Sequence, residues 1–93
     1  MPVYMADRFL PGITMEQLAA AQKAAIETGT TMTSQGKPVR YIRSTFVPSE
    51  SRCMCLFEAP NSENVRELNE TAKIPFNRIM EAEDLTPSPG STA

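Results

Sequence analysis

Two β-rich runs lie back to back in the middle of the chain. Val39-Arg-Tyr-Ile-Arg-Ser-Thr-Phe-Val47 is followed, after the polar turn Pro48-Ser-Glu-Ser51, by Arg52-Cys-Met-Cys-Leu-Phe-Glu-Ala-Pro60. Runs rich in β-branched and aromatic residues on either side of a short turn read as a hairpin. A hairpin alone buries too little to be stable, so its neighbours in sequence must cover it, and both are helical in pattern. Before it, Thr14 with Gln17 three residues on forms a capping box. Met15, Leu18, Ala21, Ala25 and Met32 then recur near helical spacing as far as about Gln35. Gly36-Lys37-Pro38 stops this helix, the glycine suiting its C-terminal cap. After the hairpin, Asn61 is a good N-cap, Glu63 complements the helix dipole, and Val65, Leu68 and Ala72 mark the buried stripe.

The outer strands complete the pattern. Val3 to Phe9 is the first, ended by Leu10-Pro11-Gly12, and Ile79 to Leu85 is the last. Pro75 ends the second helix, with Ile74 and Phe76 tucking the exit under the core. The order β-α-β-β-α-β with right-handed crossovers is the ferredoxin-like α+β sandwich: an antiparallel sheet with both helices on one face. The first and third strands lie in the middle. Residues 1–86 form the domain, and 87–93, with no large apolar side chain, are expected to be a flexible tail. In a chain of 93 residues the core is small, so the bare sheet face is expected to meet a second copy in a homodimer.

Composition excludes several functions. A formal net charge of −2 argues against a nucleic-acid partner, and no segment approaches a membrane span. No basic region followed by an apolar run marks a secretory signal. Cys53 and Cys55 are the two cysteines. Two residues apart on a strand, their side chains point the same way, which disfavours a bridge between them. Free thiols fit a reducing, cytoplasmic setting. The chain has no histidine, which removes the commonest general base and the commonest metal ligand.

Strand alternation divides the remaining candidates by face. Keeping charges out from under the helices puts Tyr4, Ala6, Ile42, Ser44, Phe46, Cys53, Cys55, Phe57, Met80 and Ala82 on the helix side. The bare face then gathers Asp7, Tyr41, Arg43, Glu58 and Glu81. These carboxylates form an acidic band near Arg43, suited to a metal or polar ligand or to acid–base chemistry. Equally, they could be neutralised by Arg8, Arg43, Arg52 or a partner subunit. Tyr41 suits either a ligand contact or a dimer interface. The cysteines are expected in the core as small hydrophobes, since a closed zinc site wants four ligands. Asp7, Tyr41, Arg43 and Glu58 are therefore the expected ligand-binding set, with no catalytic residue, metal ligand or cofactor assigned.

The opening Pro2-Val-Tyr-Met-Ala-Asp-Arg8, Pro11-Gly12, Val39-Arg-Tyr-Ile-Arg-Ser44, Cys55-Leu-Phe-Glu-Ala-Pro60, Val65-Arg-Glu67 and Ile74-Pro75 carry a resemblance. With these segments the chain resembles a family of small bacterial ferredoxin-like proteins, one branch of which is described as nickel-binding. The resemblance implies the ferredoxin-like fold, a homodimer and a site in the region of the residues just named. Relatives often carry tryptophan where this chain has Tyr41, and some carry histidine where it has Arg43. Nickel favours imidazole and thiolate, and an arginine at a ligand position favours an anion instead. The expected function is a small ligand- or metal-ion-binding protein with its site on the open sheet face or at the dimer interface. The alternative is a small cofactor-independent enzyme, monooxygenase- or isomerase-like, using Asp7 or Glu58 as acid or base.

Overall fold

The computed structural model describes residues 1–86; the expected tail at 87–93 lies outside the described residues. The elements run β1 (Val3–Phe9), α1 (Met15–Ser34), β2 (Arg40–Val47), β3 (Arg52–Glu58), α2 (Ser62–Thr71) and β4 (Arg78–Ala82). A 3-10 turn at Pro48–Glu50 links β2 to β3. The four strands pair antiparallel in the order β2-β3-β1-β4. This is the ferredoxin-like α+β arrangement, with α1 packed mainly against β2 and α2 against β4.

Local chemistry explains the boundaries. Thr14 and Gln17 make both bonds of the capping box at the start of α1. At its other end Gly36, at φ +86°, allows the Gly36 and Lys37 N–H groups to bond the carbonyls of Thr33 and Met32. The threonine run around Gly29 does not break the helix. Gly29 instead marks a close approach: a Cβ there would stand 3.0 Å from the Val39 carbonyl oxygen. Asn61 caps α2 through Asn64 N–H, and Ile74 is buried just past its end.

The core joins Ala6 of β1, Cys53, Cys55 and Phe57 of β3, Ala25 and Met32 of α1, and Val65 and Leu68 of α2. Two face assignments need correction. In β2 a bulge between Tyr41 and Arg43 adds one residue, so Tyr41 pairs with Phe57 and lies on the helix side, opposite to its expected face. Arg43, Thr45 and Val47 remain on the open face as expected, paired with Leu56, Met54 and Arg52. In β4 the phase is reversed. Met80 pairs with Met5 and Ala82 with Val3, on the open face, whereas Ile79 and Glu81 point to the helix side. Glu81 is tolerated there because β4 is an edge strand and its side chain stays exposed.

The open face therefore carries no acidic band. Glu81 is on the other side, and Asp7 pairs with Met54, four positions along β3 from Glu58, or roughly 13 Å at strand spacing. Each charge there has its own partner. Glu58 meets Arg40 at 3.3 Å and Arg43 pairs with Asp84. No helix among the described residues is long and apolar enough to cross a membrane.

Candidate functional site

Of the expected set, Asp7, Arg43 and Glu58 share the open face but are dispersed over it, and Tyr41 lies on the opposite side of the sheet. Asp7 is nearly buried between two arginines. Arg52 Nη2 donates to both its carboxylate oxygens, at 3.2 and 3.3 Å, and Arg78 Nε to one, at 3.3 Å. Asp7 thereby ties β3 and β4 to β1. Asp7→Asn leaves Arg52 and Arg78 facing each other, and the partial exposure of both arginines limits the expected loss of stability to about 1–2 kcal/mol. Urea unfolding at low and high salt checks it, the deficit shrinking as salt screens the repulsion.

The polar groups that do converge are on the helix side. The sheet-facing positions of the first half of α1 are small, with Ala21 and Ala25 beside Leu18. These side chains are too short to fill the space above β2 and β3. A cleft of about 230 Å³ results, walled by Leu10, Leu18, Ala25, Phe46 and Ile74 and opening past Met15 and Gln22. The close approach of α1 comes about one turn beyond Ala25, at Gly29.

Into this cleft project Arg8, Tyr41, Ser44, Cys53 and Cys55. The β2 bulge is what puts Tyr41 and Ser44, three residues apart, on one side, with the Tyr41 hydroxyl 2.6 Å from Ser44 Oγ. Gln22 of α1 donates to the Tyr41 hydroxyl at 2.9 Å, and Ser44 donates to Cys55 Sγ at 2.9 Å. Arg8 reaches the same sulfur from below, its Nε 3.3 Å away, and its Nη1 donates to the Pro75 carbonyl at 3.1 Å. The result is a continuous polar line from exposed Gln22 to the buried guanidinium.

Cys53 completes the floor, its sulfur 3.8 Å from that of Cys55. Burial pushes the Cys53 thiol up from its ordinary 9.0 to about 11, with the adjacent Cys55 adding to the rise. The sign follows from which form the fold rejects. The unfolded chain ionises this thiol near 9.0 and the folded chain near 11, so its contribution to stability is intact below pH 9 and lost as pH rises to 11. The expected loss across that window is about 1–3 kcal/mol. Thermal unfolding from pH 8 to pH 11 measures it, and Cys53→Val should flatten that part of the profile.

A family model described as nickel responsive protein SCO4226-like matches residues 4–82. The chain belongs to this family. The crystal structure of SCO4226 from Streptomyces coelicolor A3(2) is similar, with a TM-score of 0.72 and 25% sequence identity over 90% of this chain and 99% of that one. A search of curated proteins finds no match. The nickel-responsive family agrees with the sequence resemblance, and the fold is the shared one.

The sequence reading did not single out Arg8, which lines the cleft, and placed Tyr41 on the opposite face. The signal for Arg8 was present: it is the lone charge on the side of β1 that also carries Tyr4 and Ala6. Nothing in the local sequence announces the bulge that turns Tyr41 over.

Proposed function

We propose that this protein binds a small organic molecule, without converting it, in the cleft between α1 and the sheet. The observation that supports the reading is the combination of apolar walls with a few convergent polar groups, Arg8, Ser44 and Tyr41, the usual make-up of a small-molecule site. A second hollow, of about 390 Å³ near Thr30, Thr33 and Val39, is bordered by Arg40 and Glu58. Those two charges already neutralise each other, so nothing there calls for a ligand.

The family's description brings nickel to mind, and the residues do not fit a resident nickel ion within one subunit. Among the described residues no three of His, Cys, Asp and Glu cluster. The nearest approach to a soft-metal pair, Cys53 with Cys55, has the Arg8 guanidinium against it, and a fixed positive charge repels a cation. The enzyme alternative is not favoured either, since Asp7 and Glu58 lie across the sheet from the cleft.

Ligand-observed magnetic resonance on a library of benzene-sized fragments tests the reading. Saturation transfer is expected with the wild-type protein and should be lost in Ala21→Leu, which fills the cleft from α1. Equal transfer in both proteins would place binding elsewhere. The homodimer is kept as a separate proposal for the open face. Met80, Met5 and Leu56 lie in one row there with Met54 beside them, all partly buried. Sedimentation at micromolar concentration is expected to give twice the 10.2 kDa chain mass, and a species of single-chain mass would refute it.

A further inference from the structure

We infer that the molecule held in this cleft is a small monoanion, a carboxylate on an apolar body, and that Arg8 is its counter-charge. The inference rests on the cleft reading above and adds the chemical class of the ligand. Arg8 is 2% exposed, and a guanidinium does not shed its proton in proteins. A buried, permanently charged group is costly unless paired. Among the described residues no carboxylate lies within ion-pair distance of it, whereas the more exposed Arg40, Arg43, Arg52 and Arg78 each have one. The distribution runs against what stability alone favours: four of the five other arginines, all better solvated, are paired with a carboxylate, Arg66 lies over the Phe76 ring, and the most buried one has no carboxylate.

The donor count points the same way. Arg8 has five N–H donors, and its side-chain bonds among the described residues go to Cys55 Sγ and the Pro75 carbonyl. The guanidinium also forms part of the cleft wall, where its remaining donors meet whatever occupies the space. Ser44, whose hydroxyl donates to Cys55 Sγ, stands beside it and can turn that proton to a carboxylate oxygen instead, while Tyr41 stays bonded to Ser44. Arginine's planar fork matches a carboxylate in two parallel bonds. The walls set the rest of the molecule. A dry apolar cavity of about 150 Å³ takes up benzene, so 230 Å³ accommodates a ring or short chain with one charged head and little more.

Three probes of nearly the same shape test this at neutral pH: phenylacetate, phenylacetamide and phenethylammonium. Titration calorimetry is expected to show phenylacetate binding at least about tenfold more tightly than the amide, since hydrogen bonds to a charged partner are the stronger kind. The ammonium should bind more weakly than either. In Arg8→Met the preference for acid over amide should collapse to within about twofold while the amide still binds; in Arg8→Lys, which keeps the charge but loses the fork, the preference should persist in reduced form. Far-ultraviolet circular dichroism establishes that both variants are folded. Equal binding of acid and amide by the wild type, or a preference that survives in Arg8→Met, would overturn the anion assignment while leaving the cleft standing. Binding of none of the three would overturn the cleft reading itself.

Discussion

Phe57→Ala is expected to lower the free energy of unfolding by about 3–5 kcal/mol, the range for removing a fully buried aromatic ring. Phe57 is 0% exposed and sits in β3, an interior strand of the sheet, directly under the helices. Its ring meets that of Tyr41 edge to face, with centroids 5.7 Å apart, a geometry that adds to area burial. For a domain of this size total stability is of the order of 5–15 kcal/mol, so the loss is a large share of the whole. Chemical denaturation measures it, with Phe57→Leu as the milder control at under about 2 kcal/mol. The effect should extend to the cleft, because Tyr41 is held on the helix side partly by this contact.

Arg8→Met is expected to act in the opposite direction on stability. The substitution removes a buried charge and replaces it with an apolar chain of similar length. Removing the charge relieves the cost of holding it unpaired and out of water, on the order of several kcal/mol per ion. Against this stands the loss of the bonds to Cys55 and Pro75, each of which contributes on the order of 1 kcal/mol. The balance is a protein at least as stable as the parent that has lost its preference for an anion. Thermal unfolding checks the first half and calorimetry the second. A sharp loss of stability instead would mean that Arg8 is a strut of the fold, adequately partnered without any ligand.

The contrast between these two residues shows what the sequence could disclose. Phe57 belongs to an alternating run, Cys53, Cys55, Phe57, Ala59, whose period assigns its face without ambiguity, and the structure buries all four. The capping box at Thr14 and the glycine at the end of α1 were equally readable, because each is a local signal with a local cause. Face assignment failed where a longer-range cause intervened. The bulge at Ile42 inverted Tyr41 without disturbing Ser44 or Phe46. In β4, the rule that charges avoid the helix side broke down because an edge strand lets Glu81 reach water.

The cleft was hidden for a related reason. A row of alanines on α1 is compatible with close packing or with a gap, and only the height at which the helix crosses the sheet decides between them. That height is set at the far end of α1, where Gly29 meets the Val39 carbonyl and Leu68. Arg8 was visible as an oddity, a charge on an uncharged side of a strand. Its meaning depended on there being no nearby carboxylate among the described residues, a property of the assembled fold and not of β1.

The most direct test of the account is a methyl-resolved magnetic resonance titration with phenylacetate. If the site lies between α1 and the sheet, shifts concentrate on Leu10, Leu18, Met15 and Ile74, which line the cleft, and the Arg8 Nε–H signal moves with them. Shifts confined to Met5, Met54 and Met80, on the open face beside Asp7, would contradict it.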